Sequence, residues 1–165
     1  MKYLLVILVT IVTMSAVGSA KAVKDADLSN LSRVSIEVND DVSNGCWTNT
    51  KTAEVYVEKE LLSAGVDRDH DKQQAYVQIS AFGMKNKAGT CVVRYELYII
   101  AFAKLLDDSC GDNNIIPGRL FSRSGLVMGG PSYTTNSTNK FFKEAASELA
   151  LKIMKDTRAA KKSSK

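Results

Sequence analysis

The chain reads as an α+β protein, a two-layer sandwich in β-α-β-β-β-α order with a mostly antiparallel sheet and two helices on one face. Three observations predict this. Two-residue alternation of apolar and polar residues marks "RVSIEVND", "AYVQISAF" and "TCVVRYELYII" as strands. Apolar residues spaced by three and four mark two helices, one ending "ELLSAG" and one carrying "FFKEAASELALKIM". Each element has a single apolar side, so one interface between a sheet and a helical layer buries them all.

The opening "MKYLLVILVTIVTMSAVGSAKA" belongs to none of these elements. Lys2 precedes an apolar run that small residues close, the pattern of a secretory signal peptide over residues 1–20 with cleavage after Ala20 or Ala22. No cysteine lies near either point, which excludes a bacterial lipoprotein anchor, and no later run is long enough to span a bilayer. The expected location is periplasmic or secreted. Removing 20 of 165 residues leaves 145, one domain over residues 21–160 followed by a basic disordered tail over 161–165. Lys2 departs with the signal and lowers the net charge from +4 to +3. This mild excess sits largely in the tail, where lysines complement a helix dipole, so neither nucleic acid nor a membrane is expected as partner.

Along the mature chain, "KAVKDADLSNLS" reads as a loose arm. The first strand puts Val34, Ile36 and Val38 on one face. The first helix buries Ala53, Val57, Leu61 and Ala64, with Thr48, Asn49 or Thr50 as its cap and Gly65 just past its end. "AYVQISAF" and "TCVVRYELYIIAFA" flank the turn "GMKNKAG" and form a hairpin. "RLFSRSGLVMGG" is a further strand, weakened by its glycines, and "PSYTTNSTN" reads as a loop. The last helix then buries Phe142, Ala146, Leu149 and Ile153.

"SNGCWTNTKTAEVYVEKELLSAG" places Cys46 and Trp47 just before a helix, where the dipole favours a thiolate. The "GCW" resembles the papain-type nucleophile region, but Ser43 stands where that family has a second cysteine. The lone His70 falls beyond the far end of a helix about 20 Å long. A disulfide explains Cys46 better. With the first two long strands parallel, the turn before Cys91 returns to the sheet edge that holds Cys46, while Cys110 lies past the opposite edge. A bridge needs Cα atoms within about 7 Å, which favours Cys46–Cys91 over Cys91–Cys110. Cys110 is then a free or intermolecular thiol, and a covalent homodimer is open to it.

No other constellation carries chemistry. "DRDHDK" lacks the glycine and the twelfth-position acid of a calcium loop, and "DDSCGDNN" has no ordered ligand spacing. Phosphate loops, serine elbows and zinc pairs are absent. The expectation is therefore no catalytic residue, no metal and no cofactor. One oddity remains on the long strand. Its second face turns apolar at Tyr98, Ile100 and Phe102, which need a cover if helices lie on the other face only, so these three are the expected interaction residues.

The succession "VSIEV", "ELLSAGV", "AYVQISAF", "GTCVVRYELYII" and "FFKEAASELALKIM" resembles small periplasmic envelope-assembly domains. These are the modules of the TolB amino-terminal region, the curli secretion protein, the flagellar T-ring protein and the lipopolysaccharide-assembly lipoprotein. The resemblance spans most of the mature chain through element order and short phrases, and it implies a non-catalytic module that binds a larger envelope complex. The expected function is thus an exported, non-enzymatic domain acting by protein–protein interaction in the bacterial cell envelope, with a protein partner of unknown identity. The alternatives are an inhibitor or immunity-type protein that neutralises a partner enzyme, and a small thiol-dependent secreted enzyme. A stable 1:1 complex with a hydrolase or toxin would mark the first alternative, and an activity abolished by alkylation the second.

Overall fold

A computed structural model describes residues 28–69, 75–104 and 115–164. The expected signal peptide, His70 and Cys110 lie outside the described residues. The elements are β1 (Arg33–Val42), α1 (Thr50–Ser63), β2 (Asp67–Arg68), β3 (Ala75–Lys85), β4 (Cys91–Lys104), β5 (Ile115–Gly129) and α2 (Pro131–Ser163). The sheet order is β2-β1-β3-β4-β5. β1 runs parallel to both β2 and β3, and β3-β4 and β4-β5 are antiparallel hairpins. Both helices pack on one face, as the single-sided patterning requires.

That face holds the core. Val34 and Ile36 of β1, Val77, Ile79 and Ala81 of β3, and Val93, Leu97 and Ile99 of β4 are buried against the helices. Ala53, Val57 and Leu61 meet them from α1, and Phe142, Ala146, Leu149 and Ile153 from α2. α1 stops where the sequence stops it. The Gly65 amide donates to the Leu62 carbonyl and the Val66 amide to the Leu61 carbonyl, both at 3.0 Å, with Gly65 at φ +80°. This paired closure needs the left-handed conformation that glycine adopts without strain, and buried Val66 then seals the end.

Three features depart from the reading above. β2 is two residues long, too short for any periodicity, and its backbone joins β1 through Asp67 N–H to Ser32 O and Asp69 N–H to Val34 O. Arg68 in β2 is gripped by Glu54 (2.7 Å) and Glu58 (3.1 Å), one turn apart on α1. Second, α2 begins at Pro131, so the polar stretch "PSYTTNSTN" is helix. Pro131 suits a first turn, and Thr134, Thr138 and Asn139 are buried, facing the chain around Cys46 rather than solvent. Third, Leu28 in the supposed loose arm is buried, and its amide donates to Asp156 Oδ2 at 3.2 Å. The same helix continues to Ser163, beyond Ala160 where the folded part was expected to end.

The glycines that weaken β5 as a sequence signal have a packing reason at Gly125. The Tyr95 ring lies on it so closely that an added Cβ would overlap the ring, and the ring is held from above by Phe141 at 4.2 Å between centroids. Gly125→Ala should therefore cost about 1–3 kcal/mol by overpacking, read as a lower urea midpoint at unchanged slope. A second test concerns Glu54. Its hydrogen bond from Lys51, followed by those from Arg68, outweighs desolvation and holds its carboxyl below the usual range. A carboxylate with a folded pKa below its unfolded one stabilises the fold above the unfolded value and loses that contribution as pH falls through the folded value. Glu54→Gln should thus cost about 1 kcal/mol at pH 7. The gap between variant and wild type should then close as the pH drops below 4.5.

Candidate functional site

Two places in the fold merit scrutiny: the cysteine end of the sheet and the face that the helices leave bare. At the cysteine end, Cys46 and Cys91 form a disulfide with Cα atoms 5.6 Å apart and both residues buried. The Cys46 sulfur is thus tied into the core and offers no thiolate at the start of α1. Trp47 beside it is equally committed to structure. Its indole N–H donates to Asn139 Oδ1 at 2.9 Å, and its ring meets Phe142 at 5.5 Å. The Thr134 hydroxyl reaches the Cys46 carbonyl at 2.9 Å. These contacts join the β1–α1 connection to α2 and leave nothing reactive. Among the described residues no group of three or more His, Cys, Asp or Glu could hold a metal, and no helix is long and apolar enough to cross a membrane.

The bare face is different. Its residues are the outward phase of each strand, and cross-strand register sorts them into rows. One row is Asp41, Phe82, Arg94 and Leu126 on β1, β3, β4 and β5. The next holds Met84, Val92 and Met128, and on the other side lie Asn39, Ser80, Glu96 and Ser124, then Glu37, Gln78, Tyr98 and Ser122. The rows divide the face into two halves of unlike chemistry.

The half containing Tyr98 satisfies itself. The Tyr98 hydroxyl donates to Gln78 Oε1, the Arg119 guanidinium stacks 4.2 Å from the Tyr98 ring centroid, and Arg119 pairs with Glu96 at 2.6 Å. Burial, then the neighbouring Tyr76, push the Tyr98 phenol above its ordinary pKa despite the guanidinium. Ile100, half-buried, stands beside Tyr76 and Arg119 in register. Phe102 pairs through its backbone with Pro117.

The half nearer the disulfide does not satisfy itself. Phe82 (41% exposed), Met84 (67%), Leu126 (64%) and Met128 (61%) form one open apolar patch. The first three line a shallow groove with Val92, Asp41 and Arg94. Among the described residues neither Asp41 nor Arg94 has an ion pair within the chain. Strands lie about 4.8 Å apart, so these two are roughly 10 Å from each other with Phe82 between them. Exposed patches of this kind mark contact surfaces rather than stability. The expected interaction residues Tyr98 and Ile100 therefore share the bare face with this patch but sit at its polar end. The patch escaped the sequence reading because it is assembled from three strands. A signal was present: the outward positions of β3 and β5 both turn apolar toward the same end of the sheet.

Since the patch residues touch solvent rather than core, Leu126→Ser and Met128→Ser should each change stability by no more than about 0.5 kcal/mol in chemical denaturation. Phe142→Ala, in the core beneath, should cost about 3–5 kcal/mol. A loss above about 2 kcal/mol from either patch variant would mean that the chain covers the patch itself.

No protein-family model matches the chain, and no curated protein matches it. Among solved structures, the PelC dodecamer from Paraburkholderia phytofirmans shares 15% identity at a TM-score of 0.42, covering 76% of this chain and 92% of that one. A minor lipoprotein from Acinetobacter baumannii shares 13% identity at a TM-score of 0.29, covering 76% of this chain and 94% of that one. Likenesses this shallow assign neither task nor partner to this chain.

Proposed function

We propose that this chain is an exported, non-enzymatic domain that works in the bacterial cell envelope by docking a protein on its bare sheet face. The observation that carries the reading is the patch of Phe82, Met84, Leu126 and Met128 around Asp41 and Arg94, which have no ion pair among the described residues. A monomeric surface gains nothing from keeping four large apolar side chains together in water, whereas a partner that covers them removes that area from solvent. Tyr98 and Ile100 extend the contact along the same strand, where Tyr98 and Arg119 offer a flat, preorganised polar rim. A hydrophobic centre with a polar margin is the usual anatomy of a protein interface. Export fits two separate features. The opening 20 residues have the form of a secretory signal, and a buried disulfide suits an oxidising compartment.

The test is site-specific photo-crosslinking in cells that express the chain natively. A probe at Leu126 should give a discrete adduct with one protein, and Met84→Glu with Met128→Glu should abolish it. A probe at Leu151, equally exposed on the helix side of the fold, should give none. Adducts from Leu151 with none from Leu126 would move the contact to the helices and overturn the reading.

A further inference from the structure

Resting on the reading that the bare face is a contact surface, we propose that its occupant is a second copy of this chain, stacked face to face across a two-fold axis running along β3 above Phe82.

The argument is one of charge and register. Such an axis lays β3 on the partner's β3 and exchanges β1 with β4, because these two flank β3 on either side. It preserves position along the strands, so the rows of β1, β3 and β4 meet themselves, while Leu126 and Met128 on β5 pass beyond the partner's β1, because β2 pairs only with Arg33 and Val34. In the central row Phe82 stacks on the partner's Phe82, Asp41 comes over the partner's Arg94, and Arg94 over the partner's Asp41. Both charges, which have no ion pair among the described residues, are thereby paired, twice, by symmetry. Packed sheets lie about 10 Å apart, a gap that an extended arginine and an aspartate bridge together.

The neighbouring rows are compatible. Toward the disulfide, Met84 meets the partner's Met84, and Val92 comes over the partner's Ser43, whose amide continues the β1 ladder to Gly83 at 3.0 Å. Toward the polar end, Glu96 comes over the partner's Asn39, Tyr98 over the partner's Glu37 and Ile100 over the partner's Ser35. No row sets like charge on like charge. The twist of the two sheets turns them by about 30°, which tilts the axis by about half of that from β3 without changing the pairing of the central row. Edge-to-edge pairing along β5, the other way a second copy could add, leaves Asp41 and Arg94 unpaired and so predicts no role for them.

The measurement is sedimentation equilibrium on the mature chain, with Cys110→Ser throughout so that no covalent dimer contributes. The wild-type face should give a monomer–dimer equilibrium. Asp41→Arg sets two arginines against each other at both symmetric sites, and Arg94→Asp sets two aspartates. Each variant should weaken the dimer by about tenfold or more while leaving the melting temperature of the monomer unchanged. An equimolar mixture of the two variants restores Arg–Asp pairs at both sites and should recover wild-type association as a heterodimer. A wild-type protein monomeric up to about 100 µM, or a mixture that fails to recover, overturns the proposal. If the protein is monomeric and Leu126 still crosslinks to a different protein, the second copy is ruled out and the docking face stands. If it is monomeric and Leu126 crosslinks to nothing, both fail together.

Discussion

The Cys46–Cys91 bridge and the tryptophan beside it fix the geometry from which the rest follows. The bridge ties the exit of β1 to the first residue of β4, two strands away, and closes a separation of 45 residues. By chain entropy a crosslink of that span contributes roughly 3–4 kcal/mol, a large fraction of the stability of a domain this size. Trp47 extends the junction to the second helix of the helical layer. Its hydrogen bond to Asn139 and its contact with Phe142 hold the first turns of α2 over the same end of the sheet. The starts of α1, β4 and α2 therefore converge on one corner. With that corner fixed, both helices must run back over the same face, and the opposite face is left bare by construction.

The bare face then carries a division that the core does not need. At its far end the polar side chains are satisfied among themselves through Tyr98, Gln78, Arg119 and Glu96, so that end is stable in water. At the disulfide end the apolar side chains have no cover, and β3, β4 and β5 are all rigidly paired beneath them. A rigid apolar platform loses little conformational entropy when something docks on it, since its side chains already stand on a formed sheet. The bridge that fixes the core thus also preorganises the surface above it.

Much of this was legible in the sequence, and the parts that were not share a cause. Strand faces such as Val77-Ile79-Ala81 and the helix stripe Phe142-Ala146-Leu149-Ile153 are local patterns, and local periodicity finds them. The disulfide was reachable because parallel β1 and β3 dictate which sheet edge Cys91 occupies. The first turns of α2 were hidden because Thr134, Thr138 and Asn139 look like loop residues, yet all three are buried, and the polar atoms of Thr134 and Asn139 serve the junction at Cys46 and Trp47. The apolar patch was hidden for the opposite reason. Reading the long strand alone finds Tyr98 and Ile100 on the bare face, but only register between strands gathers Phe82, Met84, Leu126 and Met128 into one surface.

Asp41 and Arg94 restrict what that surface can accept. While exposed, both charges are solvated and cost the fold nothing. A purely apolar cover over the patch would strip water from both and leave each unpaired, a penalty of several kcal/mol that the buried apolar area would have to exceed. Phe82, wedged between them in the same row, keeps them too far apart to neutralise one another. The patch therefore rejects non-specific hydrophobic surfaces and selects one that presents an acid and a base at the matching spacing. Attraction comes from the methionines, leucine and phenylalanine, and discrimination from the two charges. Opposite charges two strands apart in one register row form an arrangement that a copy of itself complements without any further residue.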